Sequence, residues 1–318
     1  MWAKLSKQWF LIGIAICFAI GFFASGALRP VAEIPYLRSG IVFLVMWAMG
    51  VTLRADAVRR SIARPLPALL AIGINLVLVP LLALPAAELL PQALFGGLFI
   101  ATLVPCTLAS ASVWTRRAGG DDSVAMMTTV VTNLACVLVV PIGLALVLAR
   151  QGEISALDQV YKLAIVVVAP LVLAQVMRRL GAGGWADRHK SRLSLLGQWG
   201  ILLMVVFGAM ASAETIRGEP TESPLGWMLA AGLLLTVATI HTVALAIGVL
   251  SARALGISRD KQIAVGIAGS QKTLMVGLQI AIDCGLSVIP MLVYHISQLF
   301  IDTLIVDRWK RGSEDTIP

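Results

Sequence analysis

Charge is scarce in this sequence: Asp, Glu, Lys and Arg make up 13% of its 318 residues, where a soluble domain carries about 25%. With 58% hydrophobic residues and a mean hydropathy of +0.90, that shortage excludes a soluble globular domain, whose core could not absorb so much apolar surface. Cysteine is also sparse. Cys17, Cys106, Cys136 and Cys284 lie singly inside apolar stretches, with no CxxC or Cys/His spacing, so a disulfide scaffold or thiolate metal centre is not expected and they read as small core residues. Of three histidines, His189 lies in a basic loop and reads as solvated, while His241 and His295 are single imidazoles in apolar runs and read as packed or held by one hydrogen bond. There is no HExxH, no pair of intramembrane aspartates at helical spacing and no Ser-His arrangement, so the chain is not expected to be an enzyme. The net charge of +8 is scattered in short clusters between apolar runs, which speaks against nucleic acid as a partner. No cofactor is expected.

What is abundant is apolar sequence in runs near the 20 or so residues that cross a hydrocarbon core of about 30 Å. Cutting at charge clusters and Gly/Pro turns gives about ten spans: 9–28, 38–53, 66–87, 94–115, 124–149, 160–177, 194–213, 225–251, 262–282 and 287–306. The expected fold is an all-α membrane protein, one transmembrane domain over 1–318. The first segment, with Lys4 and Lys7 ahead of an apolar middle, has a signal peptide's outline. Its apolar run from Trp9 to Ala27 is longer than a signal core, and the later spans need it to keep an even helix count. With the N-terminus inside, the segments facing the cytoplasm hold nineteen Lys and Arg and the outer ones five. That bias places both termini in the cytoplasm, with 307–318 as a tail.

Five spans precede the loop at 150–158 and five follow it. An odd number per half forces the second half to insert upside down, giving inverted repeats at about 9–149 and 160–306, an arrangement common in secondary transporters. The fourth span of each half is interrupted. In the first, the apolar run meets Pro105 and then Cys106, Thr107, Ser110 and Ser112. In the second, it meets Gly269, Ser270, Gln271, Lys272 and Thr273. Proline removes a backbone donor, and the carbonyls and amides freed by a broken helix are tolerated only where they are buried in protein or line a watery cavity. Hydroxyls, amide side chains and carbonyls are hard oxygen donors suited to a small cation such as sodium, and the fifth span adds Thr128, Thr129, Thr132 and Asn133 at membrane depth. Lys272 places a charge near the bilayer centre at a cost of at least about 2.5 kcal/mol. It can stand in for a bound cation, anchor an anionic substrate, carry a proton, or take part in a buried ion pair.

At these residues the sequence resembles the bile acid/sodium symporter family, most of all its bacterial symporter-like branch. The resemblance runs from the second span to the tenth, on "MGVTLRADAVRRS", "PCTLASASVWTRRAGGDDSVAMMTTVVTNL" and "RDKQIAVGIAGSQKTLMVG". It implies ten helices divided into a panel and a core domain, broken helices 4 and 9 that cross, an organic anion between the domains, and sodium behind the crossing. By position it carries ion-binding roles to Ser110, Thr129 and Gln271. Ala111 stands where bile-acid members place an asparagine, so Ser112 or Asn133 is expected to supply the missing ligand. Apolar Ile267 stands where they place an acid, which puts a second sodium site in doubt and leaves bile acids unimplied as substrate.

The full expectation is a secondary transporter of the bacterial inner membrane that couples a small organic anion to sodium, or to protons, by alternating access. Its ion-binding set is Ser110, Ser112, Thr128, Thr129, Asn133 and Gln271. Lys272, Ser270 and Thr273 take substrate or substitute for a charge, and Pro105 and Gly269 make the breaks. The alternatives are a sodium-independent anion exporter or exchanger and a non-transporting membrane regulator. Substrate anion, sodium and lipid are the expected partners, and the oligomeric state is not read.

Overall fold

The computed structural model describes residues 9–54, 61, 63, 65–108, 110–148, 156–216 and 224–314, and among these it is all helix and connecting turns, without a strand. In chain order the helices are α1 (Trp9–Phe23), α2 (Ser25–Ala32), α3 (Leu37–Gly50), α4 (Leu66–Glu88), α5 (Gln92–Leu103), α6 (Ser110–Arg117) and α7 (Asp122–Leu148). They continue with α8 (Leu157–Arg188), α9 (Lys190–Ile216), α10 (Pro224–Ala254), α11 (Arg259–Ser270), α12 (Leu274–Asp283) and α13 (Ile289–Glu314).

Six of the described helices, α4, α7, α8, α9, α10 and α13, are long and apolar enough to cross a membrane, and α1 with α2 makes a seventh if that pair is one span. The pair is bent by 94° beside Ser25 and Gly26, small residues of the kind that host sharp kinks. The segments expected at 38–53, 94–115 and 262–282 take other forms. α3 has 14 residues, and the other two are interrupted, α5 from α6 and α11 from α12.

Glycine sets the closest approaches. α1 lies along α9, where a Cβ on Gly21 would stand 2.3 Å from the Val206 carbonyl oxygen. α10 meets α11 with Gly248 against Gly266, where an added Cβ would stand 2.9 Å from the partner Cα. Small residues bring membrane helices together in this way because lipid offers no hydrophobic drive to pack them. α9 also packs on α3 and α3 on α8, while α11 packs on α4, α7 and α10, and α13 on α5 and α10.

Basic and acidic residues collect at two places. Arg117 pairs with Asp307, Arg116 with Asp122 at 2.7 Å, and the Asp121 amide donates to the Asp260 carbonyl at 3.0 Å. Arg116 and Lys190 line one small cavity together with Leu53. At the other place, Arg38 and Lys162 both approach Asp283, at 3.6 and 3.7 Å. The first cluster joins segments expected inside the cell, and the second joins segments expected outside.

α4 carries an irregularity that matters for the site. Ile74–Leu78 forms a π turn, and the Val79 amide reaches back to the Ile74 carbonyl. The next residue, Pro80, has no amide hydrogen to give. The Asn75 carbonyl is thereby left without a donor in its own helix.

Candidate functional site

The first break begins at Pro105. A residue before proline is pushed to extended backbone, and Val104 has ψ 155 where α5 ends. Helix resumes at Ser110, with the Thr107 hydroxyl accepting from the Ala111 amide at 2.9 Å. α7 supplies most of the other partners. Thr132 Oγ1 accepts from the Cys106 amide at 3.1 Å, Asn133 Nδ2 donates to the Cys106 carbonyl at 3.0 Å, and Thr129 Oγ1 donates to the Thr107 carbonyl at 3.0 Å. The polar face of the fifth expected span therefore fastens the backbone of the break.

The second break is fastened from three other helices, α10 among them, whose His241 Nδ1 lies 3.3 Å from the Ser270 carbonyl oxygen. Asn75 Nδ2 donates to the Gln271 carbonyl at 2.9 Å, with the Ala268 and Gly269 carbonyls at 3.3 and 3.2 Å. The Ser270 carbonyl accepts from Tyr294 Oη at 3.2 Å. Gln298 takes the Lys272 amide on Oε1 and gives Nε2 to the Lys272 carbonyl, both at 2.9 Å. The two breaks also meet directly, since the Thr273 amide donates to the Pro105 carbonyl at 2.9 Å. Buried backbone groups in a membrane core must find partners, and these contacts supply them.

At that meeting point the Lys272 ammonium is fully buried. It donates to the Asn75 carbonyl at 2.6 Å, to Asn75 Oδ1 at 3.3 Å and to the Val104 carbonyl at 3.0 Å. Its three donors have three acceptors. One is the carbonyl that the π turn and Pro80 leave free, and another is at the C-terminal end of α5, where the helix dipole favours a cation.

Where the two breaks meet, the side chains of Thr107, Ser110 and Gln271 also form an oxygen triad. Thr107 Oγ1 and Ser110 Oγ lie 2.6 Å apart, and they approach Gln271 Oε1 at 3.2 and 3.0 Å. Gln271 is held from behind, its Nε2 donating to Asp302 Oδ2. Asp302 is fully buried and its Oδ1 is 3.0 Å from His241 Nε2. The carboxylate fixes the amide, because only a donor can face it, and so aims Oε1 at the two hydroxyls.

Of the residues expected from sequence, Ser110 and Gln271 are brought together and Thr129 stands one hydrogen bond behind them. Asn133 reaches the break through its amide nitrogen, leaving its buried Oδ1 unpartnered among the described residues. Thr128 Oγ1 returns to the Val124 carbonyl of its own helix at 2.9 Å, and Ser112 Oγ accepts from Arg116 at 3.1 Å, so neither joins the triad. Ser270 Oγ bonds back to the Gly266 carbonyl at 2.9 Å. Thr273 lines a cavity of about 420 Å³ that Thr107, Ser110 and Leu274 also border. Gly269 packs near Ile74, inside the last turn of α11, one residue before the helix ends.

Sequence reasoning missed that the Thr107 side chain joins this triad, and it missed Asn75, Asp302 and the part played by His241. A signal existed for one of them: an acid inside "LFIDTLIV" is an intramembrane charge of the kind that singles out Lys272.

Residues 8–311 match the family model described as the SBF-like CPA transporter family. The chain is 30% identical over 259 residues to the uncharacterized protein PA2026 of Pseudomonas aeruginosa, an alignment covering 78% of this chain and 76% of that one. It is 28% identical over 281 residues to the "Probable sodium/metabolite cotransporter BASS4, chloroplastic" of Arabidopsis thaliana, covering 84% and 64%. It is 21% identical over 336 residues to sodium/bile acid cotransporter 7 of Danio rerio, covering 99% and 98%.

Proposed function

We propose, from the premise that this chain belongs to the SBF-like CPA transporter family, a family of cotransporters rather than enzymes, that it carries a small organic anion across a bacterial inner membrane by sodium-coupled symport. The observation that carries this reading is the convergence of two half-helix N-termini on one cavity: Ser110 opens α6, Leu274 opens α12, and both border the 420 Å³ space. Helix N-termini present free amides and a partial positive charge, so they favour an anion there. On the reading as ten helices in inverted repeats, α1 with α2, α3, α8 and α9 form the panel. α4, the broken pairs α5/α6 and α11/α12, α7, α10 and α13 form the core.

Sodium is assigned to the triad of Thr107, Ser110 and Gln271. In the resting arrangement both hydroxyls donate or share hydrogen with one another and with Gln271 Oε1. A cation arriving there turns the hydroxyl hydrogens outward and meets three hard oxygens. Lys272 serves as a permanent internal cation, since its donors are all engaged by protein oxygens and it does not line the cavity. That position favours charge substitution over substrate anchoring, and it supports coupling to a single sodium ion.

Ser110→Ala removes one of three side-chain oxygens while leaving the Thr107 cap in place. The sodium concentration for half-maximal uptake into proteoliposomes is expected to rise about tenfold, the effect of one lost ion–dipole contact. Thr128→Val, on the same membrane level but bonded within its own helix, is expected to leave it unchanged. Equal sodium responses in wild type and Ser110→Ala would remove the triad from the coupling mechanism.

The orientation is tested by labelling. In a background without the four native cysteines, a cysteine at Leu255 is expected to react with an impermeant maleimide only from the cytoplasmic side, and one at Glu33 only from outside. An outer probe at Gly218 falls outside the described residues, as does the tail at 315–318. Labelling of both positions from the same side overturns the ten-span topology.

A further inference from the structure

The place where Arg38 and Lys162 approach Asp283 belongs neither to the ion triad nor to the Lys272 cage. On the panel and core division above, Asp283 ends α12 in the core, while Arg38 lies in the first turn of α3 and Lys162 in α8, both in the panel. The other ion pairs among the described residues stay within one of the two bodies. Arg116–Asp122, Arg117–Asp307 and His241–Asp302 lie in the core, and Arg29–Glu33 and Arg178–Asp187 in the panel. Where segments expected inside the cell meet, the cavity between α6 and α9 sets Arg116 of the core beside Lys190 of the panel, cation facing cation. Ionic attraction between the two bodies is therefore confined to the end expected outside.

The carboxylate is held firmly on its own side. α12 stops in a tight turn, with the Leu286 amide returning to the Ala281 carbonyl at 2.8 Å and the Gly285 amide to the Ile282 carbonyl at 3.1 Å. Gly285 has φ 63, a left-handed position that glycine takes without strain. Asp283 is thus the last helical residue, and Gln279, one turn earlier, donates from Nε2 to its Oδ2 at 2.9 Å. A carboxylate at a helix C-terminus faces the negative end of the dipole, so α12 by itself does not account for an acid there. The two panel cations do.

The cavities show which way the cleft faces. The 420 Å³ space runs from Ser110 and Thr273, near the meeting of the two breaks, to Arg117 in the cluster expected inside. A second cavity of about 610 Å³ lies toward the other end, bordered by Arg38, Ser212 and Ile282. The two share no lining residue. Along α3, α9 and α12, fully buried Val42, Val205 and Leu278 lie between the stretches that line one cavity and the other. The ion triad is thus reached from the inner side and shut off from the outer one. We propose that Asp283 is a conformational latch: bound to Arg38 and Lys162 it holds core to panel at the outer end, and its release from them opens the cleft outward. Both pairs are long, 3.6 and 3.7 Å, and the two cations are 32% and 54% exposed. Partly exposed pairs shift an equilibrium by no more than about fivefold each. That strength suits a contact broken in every transport cycle, whereas a deeply buried pair is costly to break.

This inference rests on the alternating-access reading above, and one experiment separates the two. Full-length protein without its four native cysteines carries one reporter on α9, either Ser212→Cys in the outer cavity or Ser194→Cys in the inner one. In membrane vesicles of each orientation, an impermeant maleimide is applied from the side on which that cavity is expected to open, in sodium chloride and in potassium chloride. Asp283→Asn, which keeps the side chain's size and an oxygen for Gln279, is expected to speed labelling at position 212 about five- to tenfold. Asp283→Lys, which sets three cations together, is expected to speed it further and to at least halve the rate at position 194. The double variant Arg38→Gln with Lys162→Gln is expected to match Asp283→Asn, and adding Asp283→Asn to it is expected to change nothing more. With the latch residues intact, about 1 M choline chloride, which screens charges beyond about 3 Å, is expected to speed labelling at position 212. The same salt is expected to have no such effect in Asp283→Asn.

Unchanged labelling at position 212 in Asp283→Asn and Asp283→Lys overturns the latch. So does faster labelling there in Asp283→Lys with an unchanged rate at position 194, because that is loosening of one end and not a shift between two states. Opposed changes that are equal in sodium and potassium count against sodium coupling and leave the latch standing. Rates that respond to sodium but not to Asp283→Lys do the reverse.

Discussion

Lys272→Gln is expected to reduce sodium-driven turnover by more than tenfold while the protein still inserts and the substrate KM changes by less than about threefold. The reason lies in the cage. The ammonium serves the Asn75 and Val104 carbonyls and Asn75 Oδ1 at once, and it ties the π turn of α4 to the end of α5 and to the second break. A glutamine amide has two hydrogens on one short arm and no charge, so at least one buried acceptor goes unserved, at about 1–3 kcal/mol. Losing the charge also removes the fixed cation from a site next to the one assigned to sodium.

Lys272→Arg is expected to rescue poorly, because a planar fork cannot direct donors to three oxygens surrounding one nitrogen position. Wild-type transport should show a sodium Hill coefficient near one, since the second positive charge is tethered. Both dependences are measured in the same proteoliposomes. A raised KM with intact sodium response in Lys272→Gln would return the lysine to substrate binding, and wild-type values for both would make it a bystander.

Asp302→Asn is expected to raise the half-saturating sodium concentration by about thirtyfold or more, a change of about 2 kcal/mol, and to do so without replacing any residue assigned to sodium. The native carboxylate accepts from both Gln271 Nε2 and His241 Nε2. Asparagine offers one oxygen and one amino group, so it can accept from only one of those two donors. If the oxygen stays with His241, the amino group faces Gln271 and the glutamine must turn over. Its Nε2 then points at Thr107 and Ser110, replacing a cation ligand with a donor. Loss of the buried charge acts in the same direction. The effect should appear in sodium affinity more than in expression, read from ion titrations of purified protein by thermal shift, since a bound ion stabilises only the state it binds. A wild-type sodium titration in Asp302→Asn would mean that the orientation of Gln271 is irrelevant to the ion, and the triad would lose its third oxygen.

The family resemblance makes Ile267 look like a loss, because it leaves no acid one turn before Gln271. The structure supplies a carboxylate to the same glutamine from α13 instead. His241 and His295, read from the sequence as packed or held by one hydrogen bond, both stand in the polar network around the second break. Each is attached to that break by residues that an isolated reading of one histidine cannot reveal.

What the sequence determined by itself is whatever is local in the chain. Apolar runs of membrane length, the scarcity of charge and the distribution of Lys and Arg specify membrane helices and set an expected number and orientation for them, because each depends on neighbours a few residues apart. Pro105 announces its own helix break through its missing amide, and Gly269-Ser270-Gln271-Lys272-Thr273 announces the other by putting polar groups where lipid-facing helix would be apolar. Ser110 and Gln271 lie in those two strings, and the family resemblance singled them out there. Only the tertiary structure decided what those groups do, since their partners lie far along the chain: Gln271 meets Ser110 across 161 residues and Lys272 meets Asn75 across 197. Thr128 and Thr129 are adjacent and alike in sequence, yet one bonds within its helix and the other fastens the break, because successive helix positions point about 100° apart. The free carbonyl of Asn75 needs both a π turn and Pro80, and it acquires meaning only when the lysine of another helix arrives. Hydrogen bonds of this kind are settled by which faces pack together, and that is information the linear pattern does not carry.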